Sequence, residues 1–137
     1  MESCDNQKNQ GRRATAPALR RTVGRNREEE VKASLIGNGW VHLASNYYWR
    51  GGEIDLIFEE ATSGRIELVF IEVRSLIDGP ESRLLESITW VKRARIEATA
   101  RHFLVHYRGK AGSIRFDLWI HTGTDWKSFE NAWQSNY

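Results

Sequence analysis

From Glu28 to Asn38 the apolar residues Val31, Leu35 and Ile36 fall on one face at helical spacing. The run Glu28-Glu29-Glu30 suits a helix N-terminus, and Gly37-Asn38-Gly39 supplies a stop. Beyond it the period changes. Trp40 to Tyr48 alternates as a strand does, Arg50-Gly51-Gly52 reads as a turn, and a second strand is predicted from Glu53 to Phe58. After a loop through Thr62-Ser63-Gly64, Ile66 to Arg74 is nearly apolar on both faces, as a central strand covered on both sides would be. A loop with Asp78-Gly79-Pro80 leads to a long helix, Thr89 to Tyr107, whose stripe is Ile96, Ala100, Phe103, Leu104 and Tyr107. Arg108 to Gly112 breaks it. A fourth strand follows from Ile114 to His121, then a turn at Thr122-Gly123-Thr124. The tail Trp126 to Trp133 reads equally as a closing strand or a helical turn. The order helix-strand-strand-strand-helix-strand is that of an α/β fold, a central sheet flanked by helices.

With 137 residues, 40% of them hydrophobic, the chain suits one domain able to bury a real core. Its single cysteine excludes a disulfide scaffold and a cysteine-rich zinc module. Apolar runs such as Val69-Phe70-Ile71 and Leu118-Trp119-Ile120 are far too short to span a bilayer, so a cytoplasmic, membrane-free protein is expected. The net charge of +2 conceals an asymmetry. Residues 1–27 hold seven basic side chains against Glu2 and Asp5, and residues 28–137 hold 13 Lys/Arg against 16 Asp/Glu. The basic character thus sits in a polar leader without apolar periodicity, expected to be disordered, ahead of a domain over 28–137. Arg20-Arg21 is followed by no apolar stretch, which argues against an export signal.

Candidate chemistry lies in Gly52-Glu53-Ile54-Asp55-Leu56-Ile57 and Phe70-Ile71-Glu72-Val73-Arg74. Alternation puts Glu53 and Asp55 on one face with Ile54 and Leu56 opposite; on the next strand Glu72 and Arg74 share a face. In a hairpin of these strands Asp55 and Glu72 meet. Two carboxylates ~5 Å apart at an effective dielectric of ~20 repel by about 3 kcal/mol, so something must offset them. Arg74 as an ion-pair partner is one solution. A divalent cation between the acids is the other, and oxygen-only ligands suit Mg²⁺ or Mn²⁺ rather than zinc.

These segments, with Asn46, Ile88-Thr89-Trp90-Val91-Lys92-Arg93-Ala94-Arg95-Ile96, Arg115-Phe116-Asp117, Gly39-Trp40 and Glu130-Asn131-Ala132-Trp133, resemble the bacterial YraN family over about residues 24–133. Its members are predicted endonucleases related to archaeal Holliday-junction resolvases. The resemblance implies a restriction-endonuclease-like fold with a PD-(D/E)XK site that hydrolyses phosphodiester bonds in branched or structured DNA. It makes Asp55 and Glu72 catalytic metal ligands, Glu28 a helical acid completing the metal shell, and Glu53 a supporting or substrate-contacting acid. Lys92 matches a family lysine that would hold a phosphate. Resolvases need two sites for paired nicks, which implies a homodimer.

Two positions depart from the family pattern: Arg74 stands where it has lysine, and Leu76 where it has a second basic residue. Arginine can stabilise charge but cannot accept a proton. The competing reading is therefore a nucleic-acid-binding module that kept the fold and lost the chemistry; a third is an interaction domain with ion-paired acids. Tyr47-Tyr48-Trp49-Arg50 could stack on unpaired bases, with Arg50 on the backbone, or simply pack. His102 and His106, spaced i, i+4 without a third ligand, read as surface histidines, and Arg93 and Arg95 as a solvated helix face. Asp117 reads as a structural acid and the six tryptophans as core and rim.

Overall fold

Five strands form one mixed sheet in sequence order: β1 (Val41–Trp49), β2 (Gly52–Thr62), β3 (Arg65–Ser75), β4 (Ser113–His121) and β5 (Trp126–Trp133). All neighbours are antiparallel except β3 and β4, which run parallel. Among the described residues two helices complete the α/β, restriction-endonuclease-like architecture, α1 (Ala16–Gly37) before β1 and α2 (Trp90–His106) in the β3–β4 crossover. The computed structural model describes residues 16–75 and 88–134. Leu76 and the Asp78-Gly79-Pro80 loop lie outside the described residues.

The antiparallel hairpins turn tightly. Arg50 and Gly51 (φ 45° and 79°) join β1 to β2, and Ser63 and Gly64 (φ 52° and 79°) join β2 to β3. Two consecutive positive φ values are what a two-residue type I′ turn requires, since its twist matches that of the strands. The Trp126 to Trp133 tail is a strand, which settles the two readings its sequence allowed.

The sheet is covered on both faces. On one, Val31 and Leu35 of α1 pack with Leu56, Phe58, Val69 and Ile71. On the other, Ile96 and Ala100 of α2 pack with Ile54, Ile57, Leu68, Phe70, Phe116, Leu118 and Ile120. Leu68 through Ile71 are almost wholly buried, as the two-sided apolar run in β3 predicts. Each such side chain contributes ~1.5–3 kcal/mol on leaving water.

Helix α1 begins well ahead of the expected Glu28. Ala16, Ala18, Leu19, Arg20 and Arg21 are strong helix formers, and Pro17 falls in the first turn, where its missing N–H has no intrahelical acceptor to lose. Intrinsic propensity, not amphipathic periodicity, carries this helix ahead of Glu28; residues 1–15 lie outside the described residues. Glu28, Glu29 and Glu30 consequently sit inside the helix. Its end is as expected: Gly39 takes φ 89°, and Trp40 N–H donates to Leu35 C=O at 3.0 Å, closing a Schellman-type cap. Thr89 caps α2, its side chain accepting from the Lys92 N–H.

Asp117 is the structural acid its position suggested. It is 2% exposed, accepts from Arg115 Nε at 2.9 Å and from the Asn131 N–H at 2.9 Å. Arg115 also reaches Glu60 (2.6 Å) and Glu67 (2.9 Å), pinning β2, β3 and β4 together. Burial disfavours its charge, but the Asp117, Glu60 and Glu67 carboxylates outweigh that and hold its pKa above the ordinary arginine value.

Candidate active site

The site lies where β2 and β3 part. Their register runs from Thr62↔Arg65 to Leu56↔Ile71 and goes no further, although β2 begins at Gly52 and β3 continues to Ser75. In the gap Asp55 substitutes for the ladder: its Oδ2 accepts from the Val73 N–H at 2.8 Å. Opposite on β1, Asn46 adopts φ 52°. The irregularity breaks the alternation assumed from sequence. Ile54 shares the α2-side core with Ile57, whereas Leu56 joins the α1-side core, so Ile54 and Leu56 are not on one face.

Even so, the acids gather. Glu53, Asp55 and Glu72 all line one cavity of about 460 Å³, walled on the far side by Lys92, Arg95 and the Gly51-Gly52 turn. Close approach of α2 to that turn depends on Gly52, where a Cβ would lie 2.2 Å from Thr99 Oγ1 and 2.9 Å from the Arg95 carbonyl. Glu72 is 5% exposed, and Lys92 Nζ stands 2.7 Å from its Oε2. Lys92 is therefore no solvated surface lysine but the counter-charge of the most buried acid in the site.

Among the described residues Asp55 forms no such ion pair. Burial, followed by the neighbouring Glu72 charge, pushes its carboxyl up to about 9, and the two side chains stand within hydrogen-bonding reach of each other. At neutral pH the pair holds a proton. Glu28 arrives from α1 at the same end of the sheet, where Asn46 Nδ2 donates to Glu28 at 2.9 Å and to Glu53 at 3.3 Å. Burial first, then the Glu53 and Glu72 charges, hold Glu28 above the usual carboxylate range despite that hydrogen bond. Among the described residues, no three His, Cys, Asp or Glu side chains converge into a ready metal cluster. Glu28 is linked to the site through Asn46.

The remaining candidates divide. Arg74 follows Glu72 by two residues and is half-buried, but it is not in the cavity wall. Arg95 is exposed, as read from sequence, and also lines that cavity. Arg50 lies over the Trp49 ring at 4.9 Å, and Trp49 stacks on His102 at 4.7 Å. Tyr47 packs edge-on against Phe103, and its hydroxyl shares a 2.6 Å hydrogen bond with His102 Nδ1. Tyr47 and Trp49 are therefore packing, whereas Tyr48, 66% exposed, and Arg50 remain exposed. His102 is part of that packing and not a surface histidine. The signal that sequence reading missed for Arg95 was available: Lys92, Arg95 and Ile96 share one helical flank.

The model of "Uncharacterised protein family UPF0102" matches residues 27–120. A UPF0102 protein of Nitrosococcus oceani is 39% identical over 103 residues, covering 74% of this chain and 80% of that one. Another, from Photorhabdus laumondii subsp. laumondii, is 35% identical over 117 residues, 83% of this chain and 89% of its own. With the Burkholderia ambifaria protein the identity is 35% over 98 residues, and the match spans 72% of this chain and 66% of that protein. The chain belongs to the UPF0102 family, the family that its Gly-Glu-Ile-Asp and Glu-Val-basic strands resembled. Among the described residues no helix is long and apolar enough to cross a membrane.

Proposed function

We propose that this UPF0102 member is a divalent-metal-dependent endonuclease of the cytosol that hydrolyses phosphodiester bonds in branched or structured DNA. One observation carries the reading: the buried Asp55–Glu72 carboxyl pair in the gap between β2 and β3, faced by Lys92. Burial and the Glu72 charge raise the Asp55 carboxyl to about 9, and strongly shifted groups of this kind in a cavity cluster at functional sites. The donor set fits Mg²⁺ or Mn²⁺, being hard oxygen atoms on two strands, with Asp55 in need of the positive charge that would let it ionise. Asp55 and Glu72 would hold the ion. When bound, it supplies Lewis acidity that activates water and offsets charge on a phosphate.

The chain's own side chains do the rest. Lys92 and Arg95 present cationic groups to the cavity, where they would orient a phosphate and stabilise its added charge. Lys92 brings an ammonium to the cavity, a point charge where Arg74 has a planar guanidinium. The backbone amide that Asp55 grips at Val73 fixes its orientation. Paired nicks across a junction would require a second copy of the chain.

The test is a panel of four-way junction, flap, single-stranded and duplex DNA incubated with Mg²⁺ or Mn²⁺, beside Asp55→Ala. Metal-dependent cutting that the variant lacks is expected; absence of cutting on every substrate refutes the proposal. A second reading, a binding module without turnover, is favoured by Arg74 in the lysine position. It predicts salt-sensitive DNA binding without cleavage, and activity on Arg74→Lys.

A further inference from the structure

Helix α2 has a second cavity on its other flank. It holds about 380 Å³ between α2 and β5, and its walls include Trp90, Arg93, Glu97 and Trp133. Trp90 is 75% exposed, an unusual place for the largest side chain unless something stacks on it. Trp133, by contrast, is 7% exposed; its ring stacks on Phe116 at 5.2 Å, with the Arg93 guanidinium 5.7 Å from it. The Trp133 indole N–H is buried with no hydrogen-bond acceptor. Buried donors of this kind are normally satisfied, so an acceptor is missing from this wall.

We infer that this cavity is a subsite for an unpaired nucleobase, stacked on Trp90 and bonded at its edge by the Trp133 N–H. The wall offers an aromatic plate in Trp90 and a donor in Trp133, a combination that suits a base. Its position also fits. Trp90, Arg93, Ala94 and Glu97 lie on one flank of α2, while Lys92, Arg95 and Ile96 lie on the other, at the same height along the axis. The two cavities are thus about one helix diameter apart, ~10 Å, a few nucleotides along a strand. The inference rests on the nucleic-acid reading above and names its substrate class: DNA with an unpaired base near the phosphate held by Lys92.

The full chain can be titrated in EDTA with two duplexes, one fully paired and one carrying a single unpaired 2-aminopurine. Wild type should bind the second about tenfold more tightly and quench its fluorescence. Trp90→Ala should abolish the preference and the quenching, leaving paired-duplex affinity within about twofold, and Trp90→Phe should keep most of both. Equal effects of Trp90→Ala on the two duplexes, or none, overturn the subsite while leaving DNA binding intact. Failure of wild type to bind either duplex at low salt overturns the nucleic-acid reading and the subsite with it. Saturation of the cavity by a protein partner, with no difference between duplexes, also overturns it.

Discussion

Replacing Asp55 by asparagine should stabilise the metal-free protein while destroying its candidate chemistry. In the folded chain the Asp55 carboxyl titrates at about 9, against an ordinary 3.8. Between those values the folded state keeps a proton that the unfolded state has lost, so stability falls as pH rises from about 4 to about 9. At roughly 1.4 kcal/mol per pH unit, the loss is about 2 kcal/mol at pH 5 and about 4 kcal/mol at pH 7. Glu28, also raised, contributes with the same sign. Asparagine keeps an oxygen for the Val73 N–H but carries no titrating proton. Part of the penalty remains, because an amide is also polar and still buried. A gain of at least about 2 kcal/mol near pH 8 is expected, or about 6–10 °C in Tm for a chain of this size. Thermal unfolding followed by circular dichroism in EDTA from pH 5 to 9 measures it. The curves of variant and wild type should meet near pH 5 and diverge towards pH 9. Adding Mn²⁺ should raise the wild-type Tm and leave the variant unmoved. A variant less stable than wild type at pH 8, or two curves of equal slope, would show that Asp55 is ionised in the fold and that the argument is wrong.

Two further substitutions probe the same cavity. Lys92→Met strips the counter-charge from Glu72; a broken buried pair costs about 3–5 kcal/mol, and because the Lys92 side chain is 44% exposed, about 1–3 kcal/mol is expected by urea unfolding in EDTA at pH 8. Mn²⁺ should restore part of that loss, and a neutral outcome would mean that solvent, not Lys92, compensates Glu72. Gly52→Ala drives a methyl group into Thr99 and the Arg95 carbonyl, so α2 must shift, at a cost of about 1–3 kcal/mol. Its urea midpoint should drop and metal-dependent stabilisation weaken; a wild-type midpoint would mean that α2 is not seated on the turn.

The sheet was legible in the sequence because its signals are local. Alternation, the two-sided apolar run Leu68 to Ile71, and the glycines at positions 51 and 64 specify strands and hairpins without reference to the rest of the chain. Helix α1 was half legible: Val31 and Leu35 face the core, whereas residues 16–27 have propensity but no stripe for a periodicity argument to find. The acid pair was legible by parity on two strands. Its environment was not, because strict alternation assumes a continuous ladder, and the break beyond Leu56↔Ile71 is a tertiary event. For the same reason Ile54 fell on the unexpected side. The exposure of Trp90 was invisible too, since hydrophobicity assigns tryptophan to core or rim and only packing of α2 against β5 decides which flank stays open.

The electrostatics of the pair explain why Lys92 and Asp55 belong to one device. Two carboxylates so close in a buried gap repel by about 3 kcal/mol, and the fold answers each separately. Glu72 receives the Lys92 ammonium at 2.7 Å, and Asp55 retains its proton. Either answer alone would leave one acid uncompensated. Both are provisional in the chemical sense, since a proton exchanges and a half-exposed lysine can swing away. With a divalent ion between the acids, Asp55 would surrender that proton, and Glu72 would no longer need the ammonium. Lys92 would then be released, on the same helix flank as Arg95, to a phosphate entering the cavity. An ion-paired acid serving stability alone would call for an arginine locked in place on a neighbouring strand, as Arg115 is between Glu60, Glu67 and Asp117. The same sheet contains both arrangements, and the one at the β2–β3 gap sets a raised carboxyl beside a half-exposed lysine.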